Sequence, residues 1–174
     1  MVRLLALLFA LALAPAAQAQ SGQDTLTLET TKGPIVIRLR ADIAPQHATR
    51  LKTLAREKFY DNAPFHRVIP GFMAQTGDGQ RGDGTGKSKY PDLRAEFSDV
   101  PFTRGVVGMA RGAHSNDSAN SQFFIMFRNA PGLNGQYTVV GSVISGMDTV
   151  DKLKKGSRAE DGKVTDPDRI VSAR

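Results

Sequence analysis

At 174 residues with a formal charge of +6, the chain is long enough for one domain, which could bury about 70% of its unfolded surface. Cysteine is absent, which excludes disulfides, thiol nucleophiles and a lipid-modified N-terminal cysteine. The basic balance raises nucleic acid or anionic membrane as partners. The cations are interspersed with acids, however, as in Lys52, Arg56, Glu57 and Lys58, and the one compact group (Lys152, Lys154, Lys155) reads as a helix end. A solvated basic surface is expected, with no nucleic-acid partner.

Residues 1–19 read as a leader peptide, cleaved after Ala19. Arg3 supplies a positive start, Leu4 to Leu13 an apolar stretch too short to span a bilayer, and Ala17-Gln18-Ala19 a small-x-small cleavage site. Export to the periplasm or outside the cell follows as an expectation. Residues 20–174 would form a single domain with no stable membrane association, because no long apolar run recurs.

Thr25 to Thr30 and Ile35 to Arg40 alternate polar and apolar residues around Lys32-Gly33-Pro34, which predicts a β-hairpin. Pro45 sits at a first helical position. Leu51, Leu54 and Ala55 follow at helical spacing, which predicts a helix over 45–57. Residues 65–78 read as strand, bend and strand, and Gly77 to Tyr90 as an exposed glycine-rich loop. Strands are expected around Phe102 to Met109, Gln122 to Phe127, Tyr137 to Val143 and Ile170–Val171, with a short helix over 147–154. Many short strands with two helices predict a mainly β fold, a closed antiparallel barrel rather than βαβ units.

Several motifs carry no chemistry. Gly82 to Ser88 is one residue short of a phosphate-binding loop and lacks a strand-loop-helix context. Arg81-Gly82-Asp83 is an ordinary turn triplet. Asp78 and Asp83 lack the terminal glutamate of a calcium loop. His47, His66 and His114 have no metal-site spacing, and Ser121 has no nucleophile elbow. No metal and no cofactor are expected, and His66 is read as structural.

The most informative run is Phe65-His-Arg-Val-Ile-Pro-Gly-Phe-Met-Ala-Gln-Thr-Gly-Asp78. It places Arg67 and Gln75 among Phe65, Val68, Ile69, Phe72 and Met73, and a guanidinium in apolar surroundings is costly unless something uses it. Pairing with a buried carboxylate is the competing explanation. Arg67 and Gln75 are eight apart, so they share a face if the strand is continuous, although Pro70-Gly71 interrupts it.

With Gly105-Val-Val-Gly-Met-Ala110, Ser121-Gln-Phe-Phe-Ile-Met-Phe127 and Leu133-Asn-Gly-Gln-Tyr-Thr-Val-Val-Gly141, this run resembles the cyclophilin family of peptidyl-prolyl cis-trans isomerases from about Thr25 to Val171. The resemblance implies a closed eight-stranded barrel with a helix over each open end. It also implies proline-containing polypeptides as substrates. Arg67 matches the catalytic arginine, and Gln75 the position that supports it. Phe72, Met73, Phe124 and Leu133 match proline-pocket positions, and Ala110 and Gln122 line the groove. The backbone at Arg111 would pair with substrate as an added strand does. Tyr137 stands where many members have histidine, and Gly132 where many have tryptophan, so weak cyclosporin binding is expected. The segment Arg111–Asn120 is longer than in many members. Nothing in the chain resembles a dimerisation segment, and a monomer is expected.

The chemistry implied suits the composition. Rotation about an X–Pro amide faces a barrier of roughly 18–20 kcal/mol but makes and breaks no bond, so neither nucleophile nor metal is needed. Only preferential binding of the twisted amide accelerates it, and ~7 kcal/mol of such preference is worth about 10⁵ in rate. A barrel that merely holds proline segments is the alternative, against which the intact Arg67 argues.

Overall fold

The structure, a computed structural model, describes residues 24–174; the expected leader lies outside the described residues. A hairpin opens the fold. β1 (Thr25–Thr30) and β2 (Gly33–Leu39) pair antiparallel, with Leu28 opposite Ile35 and Leu26 opposite Ile37, so their apolar residues share one face. Pro34 falls inside β2, and the turn is Thr31-Lys32 followed by Gly33 at φ +119, a conformation glycine adopts without a Cβ penalty.

α1 (Pro45–Arg56) starts on proline, whose missing N–H costs nothing at a helix start. It buries Leu51, Leu54 and Ala55 together with His47 and Ala48. Five short strands follow: β3 (Arg67–Ile69), β4 (Met73–Thr76), β5 (Val106–Met109), β6 (Phe123–Met126) and β7 (Val139–Ser145). α2 (Met147–Lys152) and β8 (Ile170–Ala173) complete the chain. α2 ends two residues before the expected boundary, and Lys152, Lys154 and Lys155 each meet an acidic residue (Asp148, Asp166 and the Asp151 carbonyl) rather than forming a bare patch. No helix among the described residues is long and apolar enough to cross a membrane.

The eight strands of the described residues form one antiparallel sheet in the order β3-β4-β6-β5-β7-β2-β1-β8. It curls, but its ladder does not run full circle, which corrects the expected closed barrel. Among the described residues no ladder pairs the edge strands β3 and β8; the gap is crossed by isolated bridges of the flanking segments, Pro64 to Arg169 and Arg67 to Lys163, and by scattered bonds such as Phe65 N–H to Asp168 O (2.8 Å) and Ile170 N–H to Ala63 O (2.9 Å). β3 has three residues, with Pro64 before it and Pro70 immediately after. Neither proline can donate to a ladder, so a long regular seam cannot form there.

Strand alternation sorts side chains into two cores. Val68, Ala74, Val107, Met109, Phe123, Ile125 and Val140 point into the curl, against the residues of β1, β2 and both helices. Their chain neighbours Met73, Val106, Phe124, Met126 and Val139 point outward and pack with Phe102 in a second, smaller cluster. The site lies on this outer face.

Candidate active site

Arg67, Gln75, Phe124 and Gly108 form one row across β3, β4, β6 and β5, each directly opposite the next. Arg67 and Gln75 therefore do share a face, for a reason other than even spacing along one strand. Gly71 at φ +67 turns the chain so that Phe72 N–H reaches Ile69 O (3.0 Å), and the two residues become cross-strand partners.

A cavity of about 280 Å³ opens over this row, lined by Arg67, Phe72, Met73, Gln75, Ala110, Arg111, Phe124, Leu133 and Tyr137. These are all but Gln122 of the residues singled out from the sequence. Gln122 lines an adjoining cavity of about 250 Å³ with Gln75, Ala110, Arg111 and the loop residues Gly84 to Lys87.

The apolar floor is built of stacked rings. Phe124 and Phe102 lie nearly parallel with centroids 5.7 Å apart, and Tyr137 meets Phe124 edge-on at 5.6 Å. Gly108 makes this possible: a Cβ there would sit 2.5 Å from Phe124 Cζ and 2.7 Å from Phe102 Cε1. The Arg111 guanidinium covers the Tyr137 ring at 4.6 Å and bonds to Gln136 O and Gly112 O, fixing the rim. Among the described residues, neither main-chain polar group of Arg111 has a hydrogen-bond partner, which leaves both open to an added strand. Gly132, in a 3₁₀ turn at Pro131–Leu133, has nothing within 4 Å of where a Cβ would stand. Sequence reasoning missed Phe102, which read as a strand residue; its place beneath the pocket is set by a long-range contact that no local pattern encodes.

The polar wall is a chain of amides with a single direction. Gln122 Nε2 donates to the carbonyls of Gly84 and Gly86, both at 2.9 Å, which turns its Oε1 toward Gln75. Gln75 Nε2 donates to that oxygen (2.9 Å), so Gln75 Oε1 faces Arg67 and accepts from Nη1 (3.1 Å). The loop carrying Gly84 and Gly86 is largely exposed, as expected, but it is anchored from within by a buried carboxylate. Asp78 is 1% exposed, and its carboxylate accepts main-chain N–H bonds from Gln80, Arg81, Gly84 and Gly86 at 2.8–3.1 Å. Burial raises its pKa, but these bonds outweigh burial and hold it below the ordinary carboxylate value. His66 is buried behind the row, and burial above all lowers its pKa, so the ring stays neutral at pH 7.

Arg67 is not locked inside. Its side chain is 33% exposed and borders the pocket. The acid it meets is Asp161 at the surface, not a buried carboxylate: Nη2 donates to Oδ1 (2.8 Å) and Nε to Oδ2 (3.1 Å) and to the Asp161 carbonyl (3.0 Å). Hydrogen bonding to Arg67 pulls the Asp161 pKa down. Nothing in the sequence pointed to this residue, 94 positions from its partner. Among the described residues, no group of three or more His, Asp or Glu side chains is placed to hold a metal.

Comparison with known proteins agrees with this geometry. The chain matches the family model "Cyclophilin type peptidyl-prolyl cis-trans isomerase/CLD" over residues 25–174. It is 56% identical to a "Probable peptidyl-prolyl cis-trans isomerase" of Brucella suis, over 90% of this chain and 85% of that one. It is 39% identical to a "Peptidyl-prolyl cis-trans isomerase" of Helicobacter pylori, over 77% and 82%. Among solved structures it resembles a Cryptosporidium parvum cyclophilin type isomerase crystallised in the presence of the dipeptide Ala-Pro. That likeness has a TM-score of 0.78 and 27% identity, over 86% of this chain and 96% of that one. A cyclophilin from Hirschia baltica is similar at TM-score 0.78 and 26% identity, over 88% and 74%. The curled sheet, the pocket row and these matches together make the chain a member of the cyclophilin-type peptidyl-prolyl cis-trans isomerase family.

Proposed function

We propose that the cavity over the Arg67–Gln75–Phe124 row is where this isomerase turns an X–Pro bond, with Arg67 as the catalytic group. The observation that carries the reading is a guanidinium held at the edge of a ring-lined pocket. Of its five N–H donors, three are engaged by Gln75 and Asp161, and one on each Nη is left for substrate. Phe72, Met73, Phe124 and Leu133 hold the pyrrolidine ring while the preceding carbonyl swings. As the amide twists, its nitrogen becomes pyramidal and gains a lone pair, which a fixed charged donor stabilises more than it stabilises the planar nitrogen. By analogy with an oxyanion-hole donor such a group supplies ~3–4 kcal/mol. Its planar fork lets it touch the substrate carbonyl as well. The free main-chain groups of Arg111 pair with the peptide, Ala110 and Gln122 line the groove beside it, and the Tyr137 hydroxyl donates to substrate.

The physiological reading is an exported monomer that assists folding of envelope or secreted polypeptides. The Arg3, Leu4–Leu13 and Ala17-Gln18-Ala19 pattern supports it. Weak cyclosporin affinity follows from Gly132, and the open space around that glycine means Gly132→Trp should tighten it. Unchanged affinity in that variant contradicts the assignment of the position.

Two experiments test the proposal. Exchange spectroscopy of a short X–Pro peptide with catalytic amounts of protein should show cis and trans signals interconverting far faster than the uncatalysed tens to hundreds of seconds. Peptide binding without faster exchange would leave a holding module instead. N-terminal sequencing of protein from the envelope or medium should begin at Gln20, and a retained leader on protein confined to the cytoplasm would refute export.

A further inference from the structure

The catalytic guanidinium is held from one side by Gln75, but its other two nitrogens are held by a residue outside the pocket. Asp161 offers both carboxylate oxygens and its own carbonyl to Nε and Nη2, all within 3.1 Å. We propose that Asp161 is a positioning residue for catalysis, clamping the Arg67 fork so that its free N–H groups face the proline pocket.

Three observations make this a built contact rather than a chance surface pair. The first is the anchoring of the turn that carries Asp161. Val68, next to Arg67, donates to Gly162 O (2.8 Å) and accepts from Gly156 N–H (2.8 Å), and Val164 N–H reaches His66 O (3.0 Å). The segment is thus stapled to β3 on both sides of the arginine. The second is the fit. Gly162 lies at φ +77, and a Cβ there would fall 2.4 Å from Ile69 Cγ1, so the turn can approach β3 this closely only with glycine. The third is the backbone of Asp161 itself, at φ 53 in the left-handed region, which aspartate, asparagine and glycine adopt more readily than other residues. That conformation is what lets one residue present both its carbonyl and its carboxylate to the same guanidinium.

The pair is exposed, at 33% and 77% of the two side chains, so as a stability device it contributes little. Its value lies in orientation. A long arginine at a pocket edge samples many rotamers, and a bidentate carboxylate selects one. Gln75 alone, bonded to a single Nη, leaves rotation about the chain axis free.

This inference rests on Arg67 being the catalytic group, and the experiment separates the two claims. Asp161→Asn keeps the left-handed turn and the size of the side chain while removing the charged fork; Asp161→Gly keeps the turn and removes the side chain. For both, peptide isomerisation should show kcat reduced about fivefold with KM within twofold of wild type, the pattern of an interaction that matters in the transition state. In an Arg67→Lys background, where no fork exists to hold, the Asp161→Asn substitution should change kcat by less than twofold. In wild-type protein the Arg67 Nε–Hε resonance should be sharp and protected from solvent exchange, and that protection should weaken in Asp161→Asn, where the Asp161 carbonyl still accepts from Nε but the carboxylate fork is gone. Wild-type kcat in Asp161→Asn, an equal loss in the Arg67→Lys background, or an unprotected Arg67 resonance in wild type would each overturn the positioning role. Wild-type kcat in Arg67→Ala would instead overturn the catalytic reading on which it stands.

Discussion

Val68, Ala74, Phe123 and Ile125 differ from Arg67, Gln75 and Phe124, one residue away in the chain, in what completes them. The first set faces into the curled sheet, where each is fully or almost fully buried among apolar neighbours. The second set faces out, where the rings of Phe102 and Tyr137 make a floor without a lid and the amide relay ends on a guanidinium with two free donors. A strand's two-residue period is enough to place a sealed core and an unfilled pocket back to back on the same backbone. The stability of the fold and the chemistry of the site should therefore separate by strand face.

The largest effect that would break this comparison is on the inner face. Ile125→Ala, at a site with no exposed surface, should cost about 2–5 kcal/mol of folding stability through lost burial and a residual cavity. Activity per folded molecule should stay within about twofold of wild type, since the pocket side of β6 is untouched. Denaturant unfolding paired with peptide isomerisation measures both, and a large loss of kcat in the folded protein would show that the faces are not independent.

On the outer face, Gln75→Ala removes the acceptor for Arg67 Nη1 and the donor to Gln122 together. It should lower kcat about tenfold, the scale of one hydrogen bond to a charged group, while shifting the unfolding midpoint little. Unchanged kcat would remove Gln75 from the catalytic account.

The smallest effect is the response to acid. Burial lowers the pKa of His66, and at His47 burial outweighs the opposing pull of Glu96, whose carboxylate lies 2.6 Å from Nδ1. Each folded-state pKa lies below the ordinary value of 6.5, so near and below that pH the unfolded chain binds more protons than the folded one. Their contribution to stability is complete above about pH 6.5 and is lost as pH falls. Asp78, also held low, acts in the same direction in stronger acid. Unfolding midpoints at pH 7.5 and 5.0 should show the protein weaker at 5.0, and equal or greater stability there would contradict the assignment of these histidines as buried and neutral.

Much of the architecture was legible because it is local. Alternation gave the first hairpin, Pro45 and the 3.6-residue spacing gave α1, and the run from Phe65 to Asp78 named both ends of the Arg67–Gln75 pair. What stayed hidden depends on contacts between distant segments. The gap between β3 and β8 is filled by the turn before β8, held by backbone bonds such as Val68 to Gly162, for which no side-chain pattern exists. Asp161 looks like any residue of an Asp-Gly turn until this packing brings it to Arg67. The sequence showed Asp78 only as an acid in a glycine-rich loop, yet those glycines let the backbone wrap around its carboxylate: at Gly86 a Cβ would lie 2.2 Å from Oδ1.

The most direct test of the central claim compares wild type with Arg67→Ala in exchange spectroscopy of one X–Pro peptide, with the unfolding midpoint recorded for both. Loss of one fixed charged donor should lower the isomerisation rate by about 10²–10³ while the protein stays folded and still binds peptide. Equal rates in the two proteins would contradict the account and leave a pocket that binds proline without turning it.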